Sequence, residues 1–127
     1  MILSRKYRFL LFLAYALIIT VMSLLPAEQS PALGVWDKLQ HFSAYLLFMM
    51  LAYPLASNHC WRLASGIGII AYSIAVEYVQ QFSPGRHTSY EDAFANSLGV
   101  ISGYLLAWLF MYFITRVRAD ALDARKV

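Results

Sequence analysis

Four long apolar runs, separated by short polar breaks, make up most of the chain. They cover roughly residues 9–25, 37–56, 60–82 and 92–115. Each run is about 20 residues long, the length that an α-helix needs to cross the hydrocarbon core of a bilayer. The pattern predicts an all-α fold, a four-transmembrane-helix bundle formed by a single domain over residues 1–127.

Turn-forming residues mark the breaks between the runs. Pro26 and Pro31 follow the first run, Ser57-Asn58-His59 follows the second, and Ser83-Pro84-Gly85-Arg86 follows the third. The first run is longer than a usual signal-peptide core, and no small-residue cleavage site follows it, so we expect it to remain as an uncleaved first span. The polar tail from Arg116 predicts a solvated helical extension of the fourth span.

Composition supports a membrane protein. Hydrophobic residues make up 61% of the chain, charged residues make up 13%, and the mean hydropathy is +0.57. These values exclude a disordered chain and argue against a soluble domain of this size. The single cysteine, Cys60, excludes an internal disulfide and a cysteine-built zinc cluster. No segment matches a nucleic-acid-binding motif, so we expect no nucleic acid partner.

Basic residues are distributed unevenly between the two sides of the predicted bundle. Four spans place both termini on one side, and that side carries eight of the ten basic residues: Arg5, Lys6, Arg8, Arg62, Arg116, Arg118, Arg125 and Lys126. The other side carries Lys38 and Arg86. The positive-inside rule therefore predicts cytoplasmic N and C termini, with the loops Pro26–Trp36 and Ser83–Tyr90 outside.

Polar residues inside the spans gather at the predicted outer ends of three helices. They are Asp37 and His41, then Glu77, Gln80 and Gln81, then Asp92 and Asn96. Pairs four positions apart, such as Asp37 and His41, share one helix face and lie about 6 Å apart along the axis. A charge in the hydrocarbon costs at least about 2.5 kcal/mol, so these side chains are expected to face one another. The pattern predicts one polar pocket at the outer leaflet, completed by Arg86.

Residue types suggest roles within this pocket. Glu77 lies near the C-terminal end of its helix, where the helix dipole disfavours a carboxylate, so we expect it to pair with Arg86 or His41. Glu77 or His41 is the candidate catalytic acid–base group, with Asp37 orienting His41. Arg86 is the candidate anion-binding group. The candidate ligand-binding set is completed by Asp92, Asn96, Gln80 and Gln81.

Each of these residues also has a structural explanation. Asp37 can complement the helix dipole, and Asp92 can act as the capping partner of Ser89. Asn96 can bridge two helices, Gln81 can be an interfacial polar residue, and Arg86 can be a counter-ion for Glu77. No cofactor is predicted, although a divalent metal held by Asp37, His41, Glu77 and Asp92 stays open.

Small residues indicate close helix packing. Gly99 and Gly103 form a G-x-x-x-G pattern on the fourth run. Gly66 and Gly68 are expected to let the third span approach the fourth.

The motifs together resemble the VanZ-like family. The matching segments are Ser23-Leu24-Leu25-Pro26, Asp37-Lys38-Leu39-Gln40-His41-Phe42 with Tyr45, Glu77-x-x-Gln80 with Phe82 and Pro84-Gly85-Arg86, and Asp92-x-x-x-Asn96-x-x-Gly99. The resemblance implies a four-helix, multi-pass protein of the bacterial inner membrane. The family's founding member is associated with low-level resistance to a glycopeptide antibiotic. That role is not carried over, because this small core carries no feature specific to glycopeptides.

Three functions fit the predicted pocket. The first is an enzyme that acts at the outer leaflet on a phosphate- or glycan-bearing lipid or cell-wall precursor. The second is a non-catalytic binding or accessory protein that engages an envelope molecule or a partner membrane protein. The third is a polar clamp that only holds the helices together. A proton-coupled transporter is less well supported, since no ionisable residues continue toward the cytoplasmic side.

Overall fold

The bundle is built from four α-helices. The structure is a computed structural model, and it describes residues 4–26, 28 and 37–124. The helices are α1 (Arg5–Leu24), α2 (Asp37–Ala52), α3 (His59–Gln80) and α4 (Tyr90–Asp123), with a short 3-10 helix, Tyr53–Leu55, after α2. Within these ranges there is no strand, which confirms the all-α prediction. Most of the predicted loop Pro26–Trp36, and the basic residues Arg125 and Lys126, lie outside the described residues.

Two helix boundaries differ from the sequence prediction. The α-helical part of the second run ends at Ala52, because Pro54 has no backbone N–H to continue the helix and the chain tightens into a 3-10 turn. Asn58 is the N-cap of α3, and its side chain accepts a hydrogen bond from the Trp61 backbone N–H at 3.0 Å. His59 is therefore the first residue of α3 rather than part of a turn.

Three of the four helices are long and apolar enough to cross a membrane: α1, α3 and α4. The remaining helix, α2, has 16 residues, which is about 24 Å of helix and less than the ~30 Å of a bilayer core. The predicted polar tail continues α4 as a helix to Asp123. The described residues thus contain three candidate spans, and a fourth span with cytoplasmic termini stays a prediction.

The closest packing in the bundle joins α2 to α4. A Cβ atom at Gly99 would overlap the Phe42 carbonyl oxygen, and one at Gly103 would overlap the Leu46 carbonyl oxygen. The G-x-x-x-G pattern therefore brings α4 against the backbone of α2. The expectation for Gly68 was wrong: an added Cβ there would meet no atom within 4 Å, so this glycine serves no close contact.

Aromatic side chains fill the core between α1, α2 and α3. The Phe48 ring is buried, and its centroid lies 5.1 Å from that of Phe12 and 5.8 Å from that of Tyr72. Tyr15 donates a hydrogen bond to the Ala44 carbonyl oxygen at 3.0 Å, so its hydroxyl group is satisfied. By contrast, most large apolar side chains of α1 face outward, as expected for a helix that contacts lipid.

Candidate functional site

His41 lies at the centre of the polar cluster that forms where α2 and α4 begin. Its Nδ1 atom lies 3.1 Å from Asn96 Oδ1. Its Nε2 atom lies 4.0 Å from Asp37 Oδ1 and 3.9 Å from Asp92 Oδ2. In the tautomer that carries a proton on Nδ1, the ring donates to Asn96 and turns the Nε2 lone pair toward two carboxylates. The histidine is therefore held in one orientation, with its second nitrogen placed for proton transfer or cation binding.

The cluster is buried on one side and open on the other. Asn96 is buried, and the side chains of His41 and Asp92 are only 15% and 13% exposed. The Asp37 side chain is 65% exposed. A ligand can therefore reach the His41 ring from the Asp37 side, while Asn96 supports the ring from within.

Lys38 connects the two helices at the rim of this cluster. Its Nζ atom lies 2.7 Å from Glu91 Oε2 and 3.1 Å from Asp92 Oδ1. Lys38 and Glu91 were not among the candidate site residues predicted from the sequence. One signal was available, because Lys38 lies three positions before His41 and so shares its helix face. Its acidic partners lie on another helix, and spacing within α2 could not identify them.

Glu77 is buried, and it is held by the backbone at the start of α4. Its Oε1 atom accepts a hydrogen bond from the Ser89 backbone N–H at 2.9 Å. This hydrogen bond comes from a peptide group, and the pairing of Glu77 with Arg86 or His41 stays a prediction. This hydrogen bond satisfies one oxygen of the carboxylate, which would be costly to bury without a partner.

Ser89 caps α4 in an unusual arrangement with Glu77. The Ser89 hydroxyl accepts a hydrogen bond from the Asp92 backbone N–H at 3.2 Å, as an N-cap residue does. In a capping box, the side chain at the Asp92 position would accept from the Ser89 N–H in return. Glu77 takes that N–H instead. The Asp92 carboxylate is therefore left to face Lys38 and His41.

Arg86 ties the α3–α4 loop to the end of α1. Its Nε atom donates to the Leu25 carbonyl oxygen at 3.2 Å, and the Ser83 hydroxyl donates to the Leu24 carbonyl oxygen at 2.9 Å. Gly85, with φ 74°, makes the turn between them. These contacts give Arg86 a role in joining helices, and its proposed binding of an anion stays a prediction.

The two glutamines at the end of α3 have different surroundings. Gln80 is buried, whereas Gln81 is the C-cap residue of α3 and is exposed.

The structure brings Asp37, Asp92 and Asn96 within 4.0 Å of the His41 ring, as predicted. Glu77 reaches this group through Ser89.

Three residues of the cluster could hold a metal ion. Asp37, His41 and Asp92 each offer one ligand atom, and these atoms lie within 4.8 Å of one another. Glu77, the fourth ligand considered from the sequence, is not in this group. The ammonium group of Lys38 already lies beside Asp92, so it supplies a positive charge to the same carboxylate.

An apolar groove runs along α2 and α4 beside the cluster. It encloses about 610 Å³. Its lining residues are Lys38, Leu39, Phe42, Tyr90, Glu91, Phe94, Ala95 and Leu98. Because the Lys38–Glu91 ion pair is its charged part, an apolar chain in this groove would place its polar end next to the cluster.

Comparison with known proteins identifies a matching family. A family model described as VanZ/LLP1 matches residues 9–111, a range that includes every candidate site residue. Neither the curated proteins nor the solved structures contain a match to this chain.

Proposed function

The chain belongs to the VanZ/LLP1 family, and on that premise we propose that it is a membrane protein that binds and acts on the head group of a glycan- or phosphate-bearing envelope lipid. The site is the polar cluster at the start of α2 and α4, on the outer side of the bacterial inner membrane. His41 is its acid–base group. The observation that carries the proposal is the position of the His41 ring between Asn96 and two carboxylates, in a cluster that adjoins the apolar groove through Lys38.

The groove supports a lipid substrate. Phe94 and Leu39 line it and are also exposed on the outer surface of the bundle, where lipid lies around a membrane protein. An acyl or isoprenoid chain could enter from the bilayer and bury apolar surface between α2 and α4. Its head group would then lie at Lys38, within reach of His41 and Asp37.

The charge balance of the cluster favours a head group rich in hydroxyl groups. Asp37, Glu91 and Asp92 are three carboxylates, and the Lys38 ammonium group contacts two of them, Glu91 and Asp92. Carboxylates accept hydrogen bonds only, so they match the hydroxyl groups of a sugar. A phosphate would have to lie against Lys38, the cation at the rim of the groove.

His41 is the residue best placed to move a proton. The Asn96 amide fixes the ring, and its Nε2 atom faces the Asp37 and Asp92 carboxylates at 4.0 and 3.9 Å. A histidine side chain can take a proton from a hydroxyl group or give one to a leaving group. Asp37, whose carboxylate is exposed, orients the His41 ring and lies on the side from which a ligand can reach that ring.

Glu77 fits a structural role better than the catalytic one expected from the sequence. It is buried, and it holds the Ser89 N–H that begins α4. Lys38 likewise joins α2 to α4. These two contacts favour, as a second candidate, a polar clamp that positions the helices without chemistry.

A comparison of lipids and cell-wall precursors tests the proposal. Cells lacking the protein are compared with cells that express the wild-type chain, His41→Gln or His59→Gln. His59 is the matched control, because its Nδ1 atom also bonds one side chain, the Tyr104 hydroxyl at 3.1 Å, outside the cluster. We expect His41→Gln to reproduce the lipid profile of the deletion and His59→Gln to match the wild type. A wild-type profile from a folded His41→Gln protein would leave the clamp as the remaining function.

A further inference from the structure

A second, larger cleft lies far from the polar cluster, between α1, α2 and α3. It encloses about 910 Å³. Its walls are apolar and include Phe9, Phe12, Ala16, Phe48, Ile69 and Tyr72. Its polar lining includes Arg5, Lys6, Ser57 and Ser65, which lie near the start of α1 and the start of α3. The cleft therefore has an apolar body and a basic mouth.

Gly68 leaves this cleft wide. It lies inside α3 and lines the cleft, and a Cβ atom added there would meet no other atom within 4 Å. A glycine inside a helix is less favourable than alanine, so the residue contributes neither packing nor helix stability. What its missing side chain provides is space beside Phe12 and Ile69.

Positive charge is concentrated around the same end of the bundle. Arg5 and Lys6 line the cleft directly. Nearby, Arg8 donates to the Pro54 carbonyl oxygen at 3.2 Å, and the Arg62 guanidinium lies 4.6 Å from the centre of the Tyr53 ring. The buried Nε atoms of both arginines have no hydrogen-bond partner in the part of the chain that the structure describes. Among the described residues that line the cleft, none is acidic.

We propose that this cleft binds an anionic glycerophospholipid, with one acyl chain between α1 and α3 and the phosphate against Arg5 and Lys6. The cleft opens between two helices that are long and apolar enough to span a membrane, so the bilayer is the source from which it fills. Burial of a chain against the phenylalanines is favourable for any lipid. The basic mouth adds a preference for a negatively charged head group.

Lipid retention by the purified full-length chain tests this site. The protein is exchanged into a neutral detergent, mixed with equal amounts of phosphatidylglycerol and phosphatidylcholine, and examined by native mass spectrometry. We expect the wild-type chain to retain at least threefold more phosphatidylglycerol than phosphatidylcholine. The double variant Arg5→Gln/Lys6→Gln should retain the two lipids equally. The matched control, Arg116→Gln/Arg118→Gln, removes two charges from the α4 tail, which does not line the cleft, and should keep the preference.

A second pair of variants tests the apolar part of the cleft. Gly68→Leu places a side chain in the open space and should lower retention of both lipids severalfold. Ala71→Leu adds a leucine to an exposed position of the same helix that lines neither cavity, and it should bind like the wild type. Thermal unfolding in the same detergent identifies any variant that has lost its fold. Equal retention of the two lipids by the wild type, or undiminished binding by folded Gly68→Leu, would overturn the proposal.

Discussion

The backbone N–H of Ser89 donates a hydrogen bond to Glu77 Oε1, 2.9 Å away, across the loop that joins α3 to α4. Ser89 is the N-cap of α4, so this bond fixes where α4 begins relative to the end of α3. It also frees the Asp92 carboxylate to face Lys38 and His41. Glu77, a catalytic candidate from the sequence, thus fixes the start of α4, the helix that carries Asp92 and Asn96 beside His41.

Replacement of Glu77 should separate the loss of an acceptor from the loss of a charge. Glu77→Leu leaves the Ser89 N–H without its partner, and we expect it to lower the free energy of unfolding by about 1–3 kcal/mol. Glu77→Gln keeps an acceptor oxygen and should lose less. Thermal or denaturant unfolding in detergent measures both. An equal loss from both variants would indicate that the charge is needed as a counter-ion for Arg86, in which case adding Arg86→Gln should restore stability.

The two glycines of α4 should tolerate no side chain. Alanine at Gly99 or Gly103 would overlap a carbonyl oxygen of α2, so either variant should lower the free energy of unfolding by about 1–3 kcal/mol, the usual cost of overpacking. Gly68→Ala is the matched control. Its added methyl group meets no neighbour, so stability should stay equal or rise by up to about 1 kcal/mol from better helix propensity. Similar losses at all three positions would contradict the close α2–α4 contact.

Spacing along the chain predicted which residues share a helix face, and this located much of the site. Asp37 with His41 and Asp92 with Asn96 are each four positions apart, and in the structure Asp37, Asp92 and Asn96 all face the His41 ring. The helices themselves follow from the apolar runs, and Pro54 explains why α2 ends early.

Contacts between helices could not be predicted in the same way. Spacing within α2 does not reveal which helix lies opposite, so the pairing of Lys38 with Glu91 and Asp92 was missed. The contact of Glu77 with Ser89 was missed for a different reason. The donor is a backbone N–H, and a peptide group leaves no signature in the sequence.

The two acidic partners of Lys38 should contribute unequally to stability. The Glu91 side chain is 76% exposed and that of Asp92 is 13% exposed. Glu91→Gln should change the free energy of unfolding by no more than about 0.5 kcal/mol, as is usual for an exposed ion pair. Asp92→Asn weakens contacts with both Lys38 and His41 in a less solvated place, so its loss should be about 1 kcal/mol or more. Unfolding in detergent at two salt concentrations compares the two variants. An equal loss of stability from both, or a larger loss from Glu91→Gln, would contradict the greater contribution of Asp92.

Reporter insertions should determine whether α2 crosses the membrane. If all four helices cross and the positive-inside rule holds, a reporter near Ser30 reads extracytoplasmic, while reporters at Ser57 and after Val127 read cytoplasmic. If α2, with only 16 residues, stays on the outer side, the Ser57 and Val127 reporters both read extracytoplasmic instead. We expect the first result, because eight of the ten basic residues then lie in the cytoplasm. Replacing Arg5, Lys6 and Arg8 with glutamine serves as the control, since it should weaken the positive-charge bias that orients the first span. An extracytoplasmic reporter at Val127 in the unmodified chain would place the α4 tail, with Arg116 and Arg118, outside the cell and would exclude the four-span bundle.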